Sequence, residues 1–110
     1  MDSKTLASKK CVPCSGEAPA MTLAEASQML AVLPGWELVD GTRLNKVFTF
    51  PDFAAALVFT NKVGALAEEE GHHPLICLTW GRATVEQWTH KVNGLTESDF
   101  ILAAKIDALN

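Results

Sequence analysis

The chain has 110 residues, 48% hydrophobic and 20% charged, the composition of one folded domain with a modest core rather than of a disordered protein. Thirteen acidic against nine basic residues give a formal net charge of −4, the wrong sign for a protein that tracks phosphates, so direct nucleic-acid binding is not expected. No apolar run reaches the roughly 18 to 20 residues of a membrane span, and none follows Lys4, Lys9 and Lys10 as a secretory signal requires, so a cytoplasmic location without membrane attachment is expected.

Residues 1–20 are rich in Ser, Lys, Pro and Ala without a sustained period and read as a mobile tail; residues 21–110 form the domain. Thr22 and Glu25 have capping-box spacing, and Leu23, Ala26, Leu30 and Leu33 follow at helical intervals until Pro34-Gly35, so a first helix is predicted over 22–33. Trp36 and Leu38 alternate with Glu37 and Val39 ahead of Asp40-Gly41, a hairpin turn signal, and the return strand runs from Arg43 to Phe50. Lys46 interrupts the apolar face of Leu44, Phe48 and Phe50, which predicts an edge strand or a snorkelling side chain.

Pro51 and Asp52 open a second helix over 51–70, whose stripe is Phe53, Ala56, Leu57, Thr60, Val63 and Ala67, with Gly71 as its C-cap. Residues 74–80 and 82–90 read as two strands turning at Gly81-Arg82, with Ile76, Leu78, Trp80, Ala83 and Val85 facing the core. Thr96 and Asp99 repeat the capping pattern ahead of a third helix over 97–108, with Leu95 and Phe100 at staple spacing. The order α-β-β-α-β-β-α predicts an α+β fold, a four-stranded antiparallel sheet with three helices on one face.

Few groups are available for acid–base chemistry. There is no tyrosine, and the three histidines, His72, His73 and His90, lie close together in the sequence. With Gly81-Arg82 as the turn, His73 stands opposite His90, and a one-residue slip removes that pairing. Glu68 lies four residues before His72 across the helix cap; a carboxylate beside an imidazole fixes its tautomer and favours the protonated form. Glu69 and Glu70 read as a solvated acidic face. The odd count of three cysteines argues against a disulfide framework. Cys11 and Cys14 are a weak candidate metal or redox pair, and Cys77 is expected to pack within a strand.

Glu68, His72, His73, Pro74, Trp80, His90 and Asp99 stand at the spacing of the pterin-4a-carbinolamine dehydratase signature, and residues 22–108 resemble that family. The resemblance implies removal of water from 4a-hydroxytetrahydropterin to give quinonoid dihydropterin, recycling the pterin of aromatic amino-acid hydroxylases with no metal or organic cofactor. It implies that His72, His73 and His90 are the catalytic or substrate-positioning residues and that Glu68 supports them, with Pro74 in the same motif. Trp36 is either a pocket aromatic, as in the family, or a core residue. Which histidine is acid and which is base is left open. Some members of the family carry an acidic residue where this chain has Gly71.

The expected partners are a pterin and further copies of the chain, as a homodimer or homotetramer, because the family self-associates and a small open sheet leaves edges to cover. Two alternatives stand beside the lyase. One is a dehydratase-like binding module, a transcription-factor dimerisation partner or a carboxylase assembly factor. The other is a zinc protein held by the histidines and a carboxylate.

Overall fold

The computed structural model describes residues 2–11 and 19–109. Its elements are α1 (Ser3–Ser8), α2 (Leu23–Leu30), β1 (Glu37–Val39), β2 (Arg43–Thr49), α3 (Phe53–Glu70), β3 (Leu75–Thr79), β4 (Arg82–Gln87), a 3₁₀ turn (His90–Val92) and α4 (Glu97–Asp107). The four strands form one antiparallel sheet in the order β1-β2-β4-β3. The α+β architecture is the expected one, with four α-helices among the described residues rather than the three expected. No helix among the described residues is long and apolar enough to cross a membrane.

Strand alternation places Leu44, Phe48, Ala83 and Val85 on a buried face, whereas Val47 and Leu75 on the opposite face are each 50% exposed. From α3 the buried residues are Ala56, Phe59, Val63 and Ala67. The ring of Phe59 lies 4.6 Å from Phe48 and 5.2 Å from Phe50, fastening α3 to the end of β2. The predicted stripe is therefore turned: Phe53 and Leu57 are exposed, and Phe59 takes the core position. Leu23 of α2 is likewise exposed, while Ala26 and Leu33 are buried. Lys46 lies on an interior strand and snorkels; its ammonium sits 4.9 Å from the Phe48 ring and 2.8 Å from Asp107 at the end of α4.

The last hairpin corrects the predicted register. Leu78 faces Ala83 and Thr79 faces Arg82, so the turn is Trp80-Gly81, one residue earlier than expected. Gly81 adopts φ 72°, a left-handed conformation open to glycine, and Phe50 N–H donates to its carbonyl at 2.8 Å. The same shift moves Trp80 from the core face into the turn, where it is 70% exposed. Cys77 is also exposed, on an edge strand, rather than packed. Strand β4 ends at Gln87, short of His90, because Thr89 N–H donates to Gly94 O and closes a loop through Asn93, whose φ is 49°.

The expected tail contains a helix. Asp2 caps α1, Leu6 is fully buried in the core, and Lys105 of α4 donates to the Ala7 carbonyl at 2.8 Å. The cause lies in α4, where Ser98 to Ala104 and Ile106 are all buried: a helix apolar around its circumference must be covered on its outer side as well. Glu70, expected to be solvated, completes the attachment by accepting the Cys11 N–H at 2.9 Å.

That hydrogen bond, with Lys105 nearby, holds Glu70 below the usual carboxylate range. A depressed folded value adds stability above the ordinary range, around pH 4.3, and loses it as pH falls through the folded value. Glu70→Gln is therefore expected to lower stability by about 1 kcal/mol near pH 7, read by urea unfolding, with the gap closing in acid. A gap independent of pH contradicts this role.

Gln87 is fully buried opposite Leu44, and neither side-chain amide atom has a hydrogen-bond partner among the described residues. An unpaired buried amide costs roughly 1–3 kcal/mol. Gln87→Met, similar in volume and apolar, is expected to raise the urea midpoint by an equivalent of about 1 kcal/mol or more. A lowered midpoint contradicts that account.

Candidate active site

The site is built where the end of α3, the end of β4 and the start of α4 meet. Gly71 ends α3 at φ 65°, a left-handed cap that reverses the chain and delivers His72 and His73 ahead of Pro74 and β3. The reversal changes the expected pairing. Glu68 meets His73, with Oε2 2.5 Å from Nε2, rather than His72. Helical i, i+4 spacing does not continue past a left-handed cap.

His72 turns inward to Asp99, with Nε2 2.6 Å from Oδ1. Asp99 is fully buried and is bonded throughout: its second oxygen accepts from the Thr89 hydroxyl at 2.7 Å and the Thr96 N–H at 3.0 Å. The Thr89 hydroxyl also lies 2.9 Å from that of Thr96. Asp99 thus caps α4 and orients an imidazole at once, and the first turn of a helix is a favourable place for its charge. An ionised carboxylate only accepts, so Nε2 of His72 carries a proton and Nδ1 is the remaining polar edge of the ring.

His90 follows Thr89 directly, so the carboxylate that holds His72 is also anchored one residue from His90. The expected His73–His90 cross-strand pair is absent, because the register shifts and His90 lies in the 3₁₀ turn. The imidazole of His90 stacks on Trp88 instead, with centroids 4.7 Å apart and planes at 22°. The three rings therefore occupy three environments: His72 against a buried carboxylate, His73 hydrogen-bonded to an exposed one, and His90 on an aromatic face.

Trp36 sits in the core. It is 4% exposed, packs edge-on to Phe48 and donates its indole N–H to Asp107 at 3.1 Å. Asp107 is eight residues from Asp99 along α4, about 12 Å at helical rise. Capping spacing by itself gives Asp99 only the role of a helix cap, and nothing in that local pattern points to Thr89. The Asn93-Gly94 dipeptide, a turn signal, marked the end of β4 and hence the position of Thr89.

Among the described residues, no group of three His, Cys, Asp or Glu side chains is arranged to hold a metal ion. Cys14 lies outside the described residues. Burial, and then the Glu70 carboxylate, push the Cys11 thiol up to about 12, so it stays protonated at neutral pH and is a poor ligand or nucleophile.

His73 on Glu68, His72 on Asp99, and Thr89 on that same Asp99 one residue before His90 form the candidate site of a small α+β protein with a helix-covered antiparallel sheet. The family model for pterin 4 alpha carbinolamine dehydratase matches residues 19–109, and the chain belongs to that family. A Rubrobacter xylanophilus protein named "Putative pterin-4-alpha-carbinolamine dehydratase" is 53% identical over 104 residues, covering 94% of this chain and 97% of its own length. The crystal structure of a transcriptional coactivator/pterin dehydratase from Brucella melitensis superimposes with a TM-score of 0.77 at 35% identity, covering 82% of this chain and 97% of that one. A pterin dehydratase-like protein identified as a RuBisCO assembly factor in the alpha-carboxysome superimposes with a TM-score of 0.59 at 27% identity, covering 68% and 88%.

Proposed function

We propose that the chain is a hydro-lyase that removes water from a 4a-hydroxytetrahydropterin, with His72, His73 and His90 as its proton carriers. In this reaction the C4a–O bond breaks as an acid protonates the leaving hydroxyl, and water departs. The C4a=N5 double bond forms as a base takes the N5 proton. Both transfers belong to imidazoles near neutral pH, each effective only within hydrogen-bond reach of its target.

The observation that carries this reading is the distinct environment of each ring. His72 is locked by the buried Asp99, which suits it to orient substrate through its other nitrogen. His73, supported by the exposed Glu68, and His90, stacked on Trp88, are the candidates for acid and base. Pro74 stiffens the chain after the pair, and the buried Trp36 supports the fold rather than touching the pterin. The product is the quinonoid dihydropterin, which connects the chain to aromatic amino-acid hydroxylases, and assembly into a homodimer or homotetramer is expected to cover the sheet edges.

The test mixes the purified chain, treated with a chelator, with freshly generated 4a-hydroxytetrahydropterin and follows product by absorbance. The expected result is a rate well above buffer. A rate equal to buffer contradicts the lyase and favours the assembly or binding reading that the alpha-carboxysome relative represents.

A further inference from the structure

We propose that Trp88 is a positioning residue for His90, and that Arg43 and Glu86 on the open face of the sheet hold Trp88 in turn. The inference rests on the reading of His90 as a proton carrier. His72 and His73 each have a carboxylate partner; His90 has none among the described residues, and its imidazole lies against Trp88.

Contact through the ring face has a chemical consequence. It fixes the imidazole plane while leaving both nitrogens, which lie at the ring edge, to meet substrate. A carboxylate partner would have taken one of them. Proton transfer demands such placement, since a misplacement of about 1 Å can cost on the order of 100-fold in rate.

Trp88 is itself held. Leu44 pairs with Gln87 and Asn45 with Glu86, so extending the register one step sets Arg43 opposite Trp88. The Arg43 guanidinium carbon lies 4.4 Å from the Trp88 ring centroid, a cation–π distance. Glu86 fixes that guanidinium through a 3.2 Å hydrogen bond, and Asn45 donates to the other Glu86 oxygen at 3.0 Å. A chain of side chains, Asn45 to Glu86 to Arg43 to Trp88, therefore runs across two strands and ends on His90. Trp88 is also half-buried against the core cluster, which fixes its ring from the other side.

The test compares unmodified chain, Trp88→Ala, Trp88→Phe and Arg43→Met in the dehydration assay and by NMR of the histidine ring protons. Trp88→Ala is expected to lower kcat about tenfold with KM within twofold, Trp88→Phe to recover most of the loss, and Arg43→Met to lower kcat about threefold. In the substrate-free unmodified chain the His90 ring protons are expected upfield of those of His73, and Trp88→Ala removes the displacement. Trp88→Ala with unchanged kcat overturns the inference, as does a KM increase that accounts for the whole loss. If Trp88→Ala does not fold, an undisplaced His90 resonance in the unmodified chain overturns it. An unmodified chain that fails to accelerate dehydration defeats the lyase reading, while the NMR displacement still reports whether Trp88 positions His90.

Discussion

Asp99→Ala is expected to be the most damaging single substitution outside the apolar core, lowering stability by about 3–5 kcal/mol. Its carboxylate is fully buried and accepts from the His72 ring, the Thr89 hydroxyl and the Thr96 N–H, so truncation orphans three donors together. The same change releases His72, and the dehydration rate is expected to fall with it. Asp99→Asn separates the two roles. An amide keeps the volume but has one acceptor oxygen where the carboxylate had two, so one donor meets an NH2 group. The expected stability loss is smaller, about 1–2 kcal/mol, while the rate still falls by about tenfold or more because His72 loses its fixed tautomer. Urea unfolding and the dehydration assay measure the two effects. An Asp99→Asn variant with the unmodified rate contradicts the orienting role.

His73→Ala is expected to lower kcat by about 10²- to 10⁴-fold, the range for loss of a general acid or base, with an unchanged melting temperature. Its side chain is 61% exposed and its partner Glu68 is 78% exposed, so the pair contributes little to folding and its removal leaves the core intact. Glu68→Gln is expected to cost about tenfold, because the amide still bonds the ring but no longer supports its charge. The order of the two variants is the informative quantity. A Glu68→Gln rate below that of His73→Ala would make Glu68, and not His73, the proton carrier.

Local chemistry made much of the fold readable. Thr22 with Glu25 and Thr96 with Asp99 form the capping boxes their spacing predicts, and Gly71 ends α3 in the left-handed conformation expected of it. Contacts between distant parts of the chain were not readable in the same way. Two adjacent turn pairs, Trp80-Gly81 and Gly81-Arg82, both suit a hairpin, and the register follows the one in which Phe50, far away in sequence, bonds Gly81. Helix α1 lacks a sustained period of its own; the signal for it lies in α4, whose apolar surface needs cover on its outer side.

The site divides along the same line. Spacing singles out His72, His73, His90 and Glu68 as candidates, because the family motif is a linear pattern. Partnership escaped it, because a left-handed glycine stands between Glu68 and the histidines. That one residue sends His73 back to Glu68 and His72 inward to Asp99. His90 was misplaced for a related reason: the strand expected to carry it closes at the Thr89–Gly94 bridge, where Asn93 takes a positive φ.

The central claim is that histidine proton transfer, on a scaffold that stays folded, carries the dehydration. The His73→Ala/His90→Ala double variant tests it most directly, because both side chains are exposed and the Asp99–His72 pair is left whole. With the fold verified by an unchanged melting temperature, the account predicts that dehydration of 4a-hydroxytetrahydropterin falls to the rate in buffer. Turnover within tenfold of the unmodified chain would contradict it.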